Sequence, residues 1–262
     1  GGGRLYEHTN HTHPDNYTIP FYTWGKGVRA GADLYDLNTS TRTAPGKSEN
    51  PAYSGESHTQ PIRNGAIANL ASSLLGLPAV PGSWINAKQD LNLGGPHSIS
   101  HVITISIDGL RPADIVELGP DELPNFFRFR NEGAFTDNAR TDTFITRTLP
   151  NHACMLTGRG SLDVDGVGVG HNQEQNHDSG DTLHDNIGAY MQSIFNVAKD
   201  GGLRTFLFAN KSKFDLLNRT WDGSWKDTGN NNASPRITTF AVVDHILDAL
   251  TTDKKKFPNL EE

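Results

Sequence analysis

The chain contains a single cysteine, Cys154, among its 262 residues. One thiol cannot form an internal disulfide framework, and it cannot supply the cysteine cluster of a structural zinc site. Because Cys154 lies within an apolar helical stretch, we expect it to be a small core residue. The scarcity of cysteine is compatible with the cytosol and equally with a protein exported from a bacterium.

Long apolar runs and an excess of positive charge are also missing. No stretch approaches the roughly 18 apolar residues of a membrane-spanning helix, so we predict no membrane span. Lys and Arg number 23 against 30 Asp and Glu, which gives a net charge of -7 at pH 7. This charge argues against a nucleic-acid groove lined by Lys and Arg, but it permits a small phosphate-bearing substrate.

The sequence starts at Gly1 rather than at a methionine, and it shows no basic-then-apolar signal segment. The composition is otherwise that of an ordinary globular protein, with 20% charged and 35% hydrophobic residues. The length suits one large domain or two small ones. Residues 36–60 and 78–98 are rich in turn-forming residues and predict a surface loop and a linker. An apolar face at helical spacing predicts a helix over 62–75.

After residue 100 the pattern alternates between strands and helices. Strands are predicted there over 101–107, 134–139 and 203–209, helices over 112–118, 123–132, the 150s, 182–200 and 242–250, and a loop over 160–180. One further short strand is predicted earlier, over 19–25. This alternation indicates an α/β fold with a mostly parallel sheet flanked by helices. In such sheets ligands bind beyond the carboxyl ends of the strands.

Asp108 and Thr148 occupy positions suited to chemistry at a phosphorus atom. Asp108 ends the apolar strand Ile103-Thr-Ile-Ser-Ile-Asp108, and Thr148 stands just before Leu149-Pro150 at a predicted helix start. Each residue alone has an ordinary explanation, as a turn-forming aspartate and as a helix N-cap. Together they place a carboxylate and a hydroxyl at one edge of the sheet. Such a pair is suited to hold a divalent metal and to attack phosphorus.

These motifs, in this order, resemble the type I phosphodiesterase/nucleotide pyrophosphatase family of the alkaline phosphatase superfamily. The segments that carry the resemblance are Asp108-Gly-Leu-Arg, Leu123-Pro-Asn-Phe and Thr148-Leu-Pro-Asn-His-Ala-Cys-Met-Leu-Thr-Gly-Arg159. The resemblance implies an alkaline-phosphatase-like fold and a small phosphate ester as substrate. It also implies a site for two zinc ions, in which Asp108 and Thr148 are ligands.

The resemblance further implies that Thr148 is the nucleophile that becomes phosphorylated. An asparagine further along the chain usually helps to hold the phosphoryl oxygens in this family. Asn172 is the nearest match, and His171 and Asn176 in the same loop are alternatives.

Residues 1–95 resemble the carboxyl-terminal part of the same family. The segments concerned are Asn16-Tyr-Thr-Ile-Pro-Phe-Tyr-Thr-Trp-Gly-Lys-Gly-Val28, Gln60-Pro-Ile-Arg-Asn-Gly65 and Leu74-Leu-Gly-Leu-Pro-Ala-Val-Pro-Gly-Ser83. In the family a histidine shortly before the first stretch binds zinc, and His8 matches that spacing best. His11 and His13 are interpreted as solvated loop residues, and a surface cluster is the alternative reading of all three histidines.

The two resemblances stand in reverse order, with residues 1–95 matching the family's end and residues 96–262 its beginning. The part that should lie between them carries an Asp-x-x-x-His pair and an Asp-His pair, and residues 200–262 offer no counterpart. Asp244-His245 lies in a predicted amphipathic helix and is interpreted as a surface pair. The chain is therefore predicted to be a permuted or misjoined, incomplete piece of the family, with too few ligands for tight zinc binding.

Three functions follow from these observations. The first is a metal-dependent hydrolase of phosphate diesters or pyrophosphates that uses Thr148 as its nucleophile. The second is a catalytically inactive fragment or binding module that retains the fold. The third is a phosphomonoesterase of the same superfamily, since mono- and diesterases differ mostly in the pocket for the second ester group. The family resemblance suggests an exported or periplasmic protein, and the oligomeric state is left open.

Overall fold

The computed structural model describes residues 10–53, 60–95, 99–162, 166–170, 182–223 and 234–242, and there the chain has a mixed α/β fold. The helices are α1 (Pro14–Tyr17), α2 (Ile67–Leu74), α3 (Pro112–Glu122), α4 (Pro124–Glu132), α5 (Thr148–Thr157), α6 (Leu183–Ile187), α7 (Ile194–Asp200) and α8 (Asp215–Thr220). The strands are β1 (Thr18–Thr23), β2 (Ala32–Asp33), β3 (Ala134–Arg140), β4 (Phe206–Ala209) and β5 (Thr239–Val242).

The larger sheet has the order β1-β3-β2. β1 pairs with β3 in the antiparallel sense, from Thr18 opposite Arg140 to Thr23 opposite Ala134, and β2 pairs with β3 in the parallel sense. β1 lies within residues 1–95 and β3 within residues 96–262, the two segments into which the sequence analysis divides the chain. Those segments are therefore joined through backbone hydrogen bonds of one sheet.

The smaller sheet consists of β4 and β5, which pair in parallel from Phe206 opposite Thr239 to Ala209 opposite Val242. The described residues confirm the predicted α/β character. They do not confirm a single, mostly parallel sheet, because the larger sheet is mixed and has three strands.

The prediction of a buried strand over 101–107 is wrong for this structure. These residues belong to no sheet among the described parts of the chain. Ile103, Ile105 and Ile107 are 84%, 69% and 54% exposed. An alternating apolar pattern favours a strand, but burial requires a neighbouring strand and a covering layer.

The prediction of one long helix over 182–200 is also wrong, because two shorter helices occupy the segment. Gly188 ends α6 in the left-handed conformation, with φ 68°, which glycine adopts without steric cost. A new helix start follows, in which the Ser193 N–H donates to Asn196 Oδ1 at 2.9 Å. These stop and start signals outweigh the continuous apolar periodicity.

The other helix and strand predictions agree with the structure within a few residues. The predicted helix over 62–75 is a 3₁₀ turn at Asn64–Ala66 that continues into α2. The remaining predicted elements correspond to α3, α4, α5, β1, β3 and β4. Of the helix predicted over 242–250, residue 242 ends β5, and residues 243–250 lie outside the described residues.

The two largest apolar clusters among the described residues form most of the core. One surrounds α5, α7 and α8 and includes Leu149, Met191 and Trp221. The other packs between α2 and the larger sheet and includes Leu91 and Leu93. Since these two leucines are buried, the segment predicted as a linker over 78–98 is part of the core over its described residues. Within the described parts of the chain, no helix combines the length and apolarity needed to cross a membrane.

Three charged side chains, Arg63, Arg140 and Asp142, are buried where the first 95 residues meet the segment 134–161. The Arg63 Nη1 group donates to the Thr141 carbonyl at 2.8 Å, and Arg140 Nε donates to the Glu49 carbonyl at 2.8 Å. Asp142 accepts hydrogen bonds from Tyr53, Ser161 and the backbone N–H groups of residues 144 and 145. Buried charges with such partners are stabilised in place.

Candidate functional site

The side chains of Asp108 and Thr148 meet although forty positions separate them. The Thr148 hydroxyl donates to Asp108 Oδ2 at 3.0 Å. Thr148 is the first residue of α5, after an extended Arg147, so its hydroxyl lies at the N-terminus of that helix. Thr148 is buried, and the Asp108 side chain is 35% exposed. The predicted proximity is present, while the roles of metal ligand and nucleophile stay predictions.

Lys211 is a third member of the site that our sequence analysis missed. Its ammonium group donates to Asp108 Oδ2, the same oxygen that accepts the Thr148 hydroxyl. Lys211 follows the last residue of β4 by two positions. A lysine two positions after a predicted strand was the available signal, because the carboxyl ends of neighbouring parallel strands lie at the same edge of a sheet.

The electrostatics keep Asp108 ionised. Partial burial acts to raise the pKa of Asp108, but hydrogen bonds from Lys211 and Thr148 and the Lys211 charge outweigh it and hold the pKa below its usual range. At neutral pH the carboxylate is therefore a proton acceptor within hydrogen-bonding distance of a hydroxyl group.

His152 supports the first turn of α5. Its Nδ1 lies 2.8 Å from the Thr148 carbonyl oxygen. Because a carbonyl oxygen only accepts, Nδ1 carries the proton in this contact. The ring meets Phe214 edge-on, with 4.7 Å between the ring centroids. Burial lowers the pKa of His152, so the imidazole is neutral at pH 7.

Asn151 fixes the loop that leads into Thr148. Its Nδ2 donates to the carbonyls of Ile145 and Arg147, at 2.7 and 2.9 Å. Its Oδ1 accepts from the Asp142 N–H at 2.9 Å and from Asn64 Nδ2 at 2.8 Å. One buried amide thus ties the start of α5 to the buried charges and to the turn before α2.

The other predicted site residues cannot be placed in this site. His8 and Asn172, together with His171, Asn176, Asp244 and His245, lie outside the described residues. His11 and His13 are exposed, as expected, and His13 Nδ1 accepts from the Asp15 N–H at 3.3 Å at the start of α1. Cys154 is fully buried, which agrees with the expected core role.

The donor set among the described residues does not fit a two-zinc centre. Asp108 and Thr148 supply one carboxylate and one hydroxyl, and the Lys211 ammonium already contacts the carboxylate. Zinc sites generally use three or four protein ligands each. The described residues contain no group of three or more His, Cys, Asp or Glu side chains that could hold a metal ion.

These elements define an α/β protein with a carboxylate, a hydroxyl and an ammonium group at a helix N-terminus. The family model for type I phosphodiesterase / nucleotide pyrophosphatase matches residues 102–161. The match spans Asp108, α3, α4, β3 and α5, and it confirms over this segment the resemblance inferred from the motifs. Its partial extent agrees with the interpretation of the chain as an incomplete piece of the family. No curated protein and no solved structure matches the chain.

Proposed function

We propose that the chain is a phosphodiesterase- or pyrophosphatase-type hydrolase in which Thr148 is the nucleophile. The family match supports hydrolysis of phosphate diesters or pyrophosphates as the class of reaction. The observation that carries the proposal is the 3.0 Å hydrogen bond from the Thr148 hydroxyl to Asp108 within the matched segment. A hydroxyl next to an ionised carboxylate has the arrangement of an activated nucleophile.

In the proposed reaction Asp108 accepts the Thr148 proton while Oγ1 attacks phosphorus. A Thr148–phosphorus bond forms and the bond to the leaving oxygen breaks, with that oxygen protonated by water. Hydrolysis of the phosphothreonine by a second water then releases the product. The N-terminal end of α5 favours the negative charge that grows on the phosphoryl oxygens.

Zinc is part of the proposal through the family resemblance, with Asp108, Thr148 and His8 as ligands and Asn172 as a phosphoryl-binding residue. The described donors do not by themselves complete such a centre. Metal dependence therefore requires ligands beyond Asp108 and Thr148.

We also propose that the fold is an incomplete alkaline-phosphatase-like α/β fold, with residues 1–95 corresponding to the family's end and 96–262 to its beginning. The contact between Asp108 and Lys211 supports the α/β arrangement within the second of these segments. It joins the end of segment 101–107 to the end of β4, as carboxyl ends meet in a parallel sheet.

A second candidate function, an inactive fragment or binding module, has an observation of its own. Ile103, Ile105 and Ile107 directly precede Asp108 and are exposed. A strand that positions a catalytic carboxylate is normally held between neighbours, because rigid elements place catalytic groups more accurately than loose ones. This exposure and the incomplete donor set both favour loss of activity.

The test is hydrolysis of bis(4-nitrophenyl) phosphate with added Zn²⁺ by wild type, Thr148→Val and Thr148→Ser. Valine keeps the shape but removes the hydroxyl, so we expect a loss on the order of 10³-fold or more. Serine keeps the hydroxyl and should retain measurable activity. Equal activity of wild type and Thr148→Val would refute the nucleophile. If all three proteins are inactive toward this diester and also toward the monoester 4-nitrophenyl phosphate, the result favours the inactive fragment.

A further inference from the structure

One oxygen atom of Asp108 takes two donors. Oδ2 accepts the Thr148 hydroxyl at 3.0 Å and also contacts the Lys211 ammonium group. The Asp108 and Lys211 side chains are 35% and 37% exposed, so the pair lies at the mouth of the site. A positive charge therefore contacts the carboxylate that the family resemblance assigns to a metal ion.

The ion pair and a metal ion need the same oxygen. A divalent cation bound to Asp108 would share its ligand with an ammonium group and would be repelled by it. Lysine carries three donors and no acceptor, so its amino group cannot join the coordination while it is charged. Its flexible four-carbon side chain and partial exposure allow the group to leave without unfolding any element.

We propose that Lys211 is the resident counter-ion of Asp108 and competes with a divalent metal for it. Metal binds Asp108 only when the Lys211 side chain moves away. The affinity of Asp108 for metal is therefore lower than it would be without the lysine. This inference rests on the proposed function, because it takes Asp108 to be a metal ligand.

The experiment is a Zn²⁺ titration of the purified full chain against a chromophoric chelator, without phosphate, at one ionic strength. Lys211→Met removes the charge and keeps the length of the side chain. We expect this variant to bind Zn²⁺ at Asp108 about tenfold more tightly than wild type. An effect of this size is expected when a partly exposed positive charge next to the ligand is removed. Lys211→Arg keeps a cation and should stay close to wild type. Lys213→Met removes a positive charge two positions further along the chain and serves as the matched control.

Asp108→Asn, made alone and together with Lys211→Met, isolates this site from zinc bound elsewhere. The inference predicts that the tightening disappears when both substitutions are present. It is overturned if Asp108→Asn weakens zinc binding while Lys211→Met leaves it unchanged, and the assignment of Asp108 as a ligand then survives. If Asp108→Asn changes nothing, with or without Lys211→Met, Asp108 binds no metal, and both the inference and the metal assignment fail. Circular dichroism of every variant checks that the fold is retained.

Discussion

At the scale of single residues, one carboxylate oxygen of Asp108 accepts hydrogen bonds from a hydroxyl group and from an ammonium group. The 3.0 Å contact gives Thr148 a proton acceptor, and Lys211 keeps that acceptor ionised. His152 contributes indirectly, because it contacts the carbonyl of Thr148 and not its hydroxyl. The neutral state of His152 therefore affects the stability of the fold and not proton transfer to or from the Thr148 hydroxyl.

His152 should make the stability depend on pH. Burial depresses its folded pKa below the ordinary value of 6.5. As the pH falls through 6.5 toward the folded pKa, the unfolded chain binds a proton that the native chain does not, so stability decreases. Above pH 6.5 this loss is absent. Urea unfolding at about pH 7.5 and about pH 5.5 should show a smaller pH-dependent decrease in His152→Asn than in wild type. An identical decrease in both proteins would contradict this account.

At the scale of elements, the segment 101–107 pairs with no strand among the described residues, and its isoleucines are exposed. Ile105→Ala should change the free energy of unfolding by less than about 0.5 kcal/mol, because the side chain is already 69% exposed. Ile115→Ala, a matched change at a fully buried position of α3, should cost about 2–5 kcal/mol. Chemical denaturation of both variants gives the comparison. A large cost at residue 105 would mean that this segment is buried in solution.

The end of α5 depends on Gly158, which takes φ 68° in the C-cap. A Cβ at this position would lie 2.9 Å from Ser83 Cβ and 3.0 Å from Asn69 Nδ2. Gly158→Ala should therefore destabilise the chain by about 1–3 kcal/mol, from backbone strain and from crowding.

Gly188 is the matched control, with the same φ of 68° at the C-cap of α6 and, among the described residues, no atom within 4 Å of a built Cβ. Gly188→Ala should show the backbone cost alone, about 1 kcal/mol. Thermal unfolding measures both variants. Equal costs would show that the contacts of Gly158 with Ser83 and Asn69 relax freely.

At the scale of the whole molecule, the described parts of residues 1–95 and of residues 96–262 are interdependent. β1 and β3 pair across them, and Arg63 and Arg140 bury their charges on carbonyls of the opposite segment. A protease site engineered between residues 95 and 99 should therefore give two fragments that stay together on gel filtration in native buffer. Residues 1–95 expressed alone should show no cooperative unfolding, since their sheet partner and charge partners are missing. Separation of the cleaved fragments without denaturant would contradict this prediction.

Much of the secondary structure was predictable because its signals are local. The apolar spacing of residues 62–75 and Pro112 at a helix start predict helices that the structure contains. Local signals also explain the errors. Gly188 and Ser193 split the predicted helix over 182–200, and the alternating isoleucines before Asp108 specify an apolar face without specifying what covers it.

The sequence by itself determined the motif that matches the family, and with it Asp108 and Thr148, because residue type and order within 102–161 suffice for that match. It also determined the α/β character through local periodicity. Only the tertiary structure decided that Lys211 reaches the oxygen that faces Thr148, and that the described donors fall short of a zinc centre. Thr148 lies 40 positions from Asp108 along the chain, and Lys211 lies 103 positions from it. Contacts over such separations depend on how separate elements pack, and no local pattern encodes that packing.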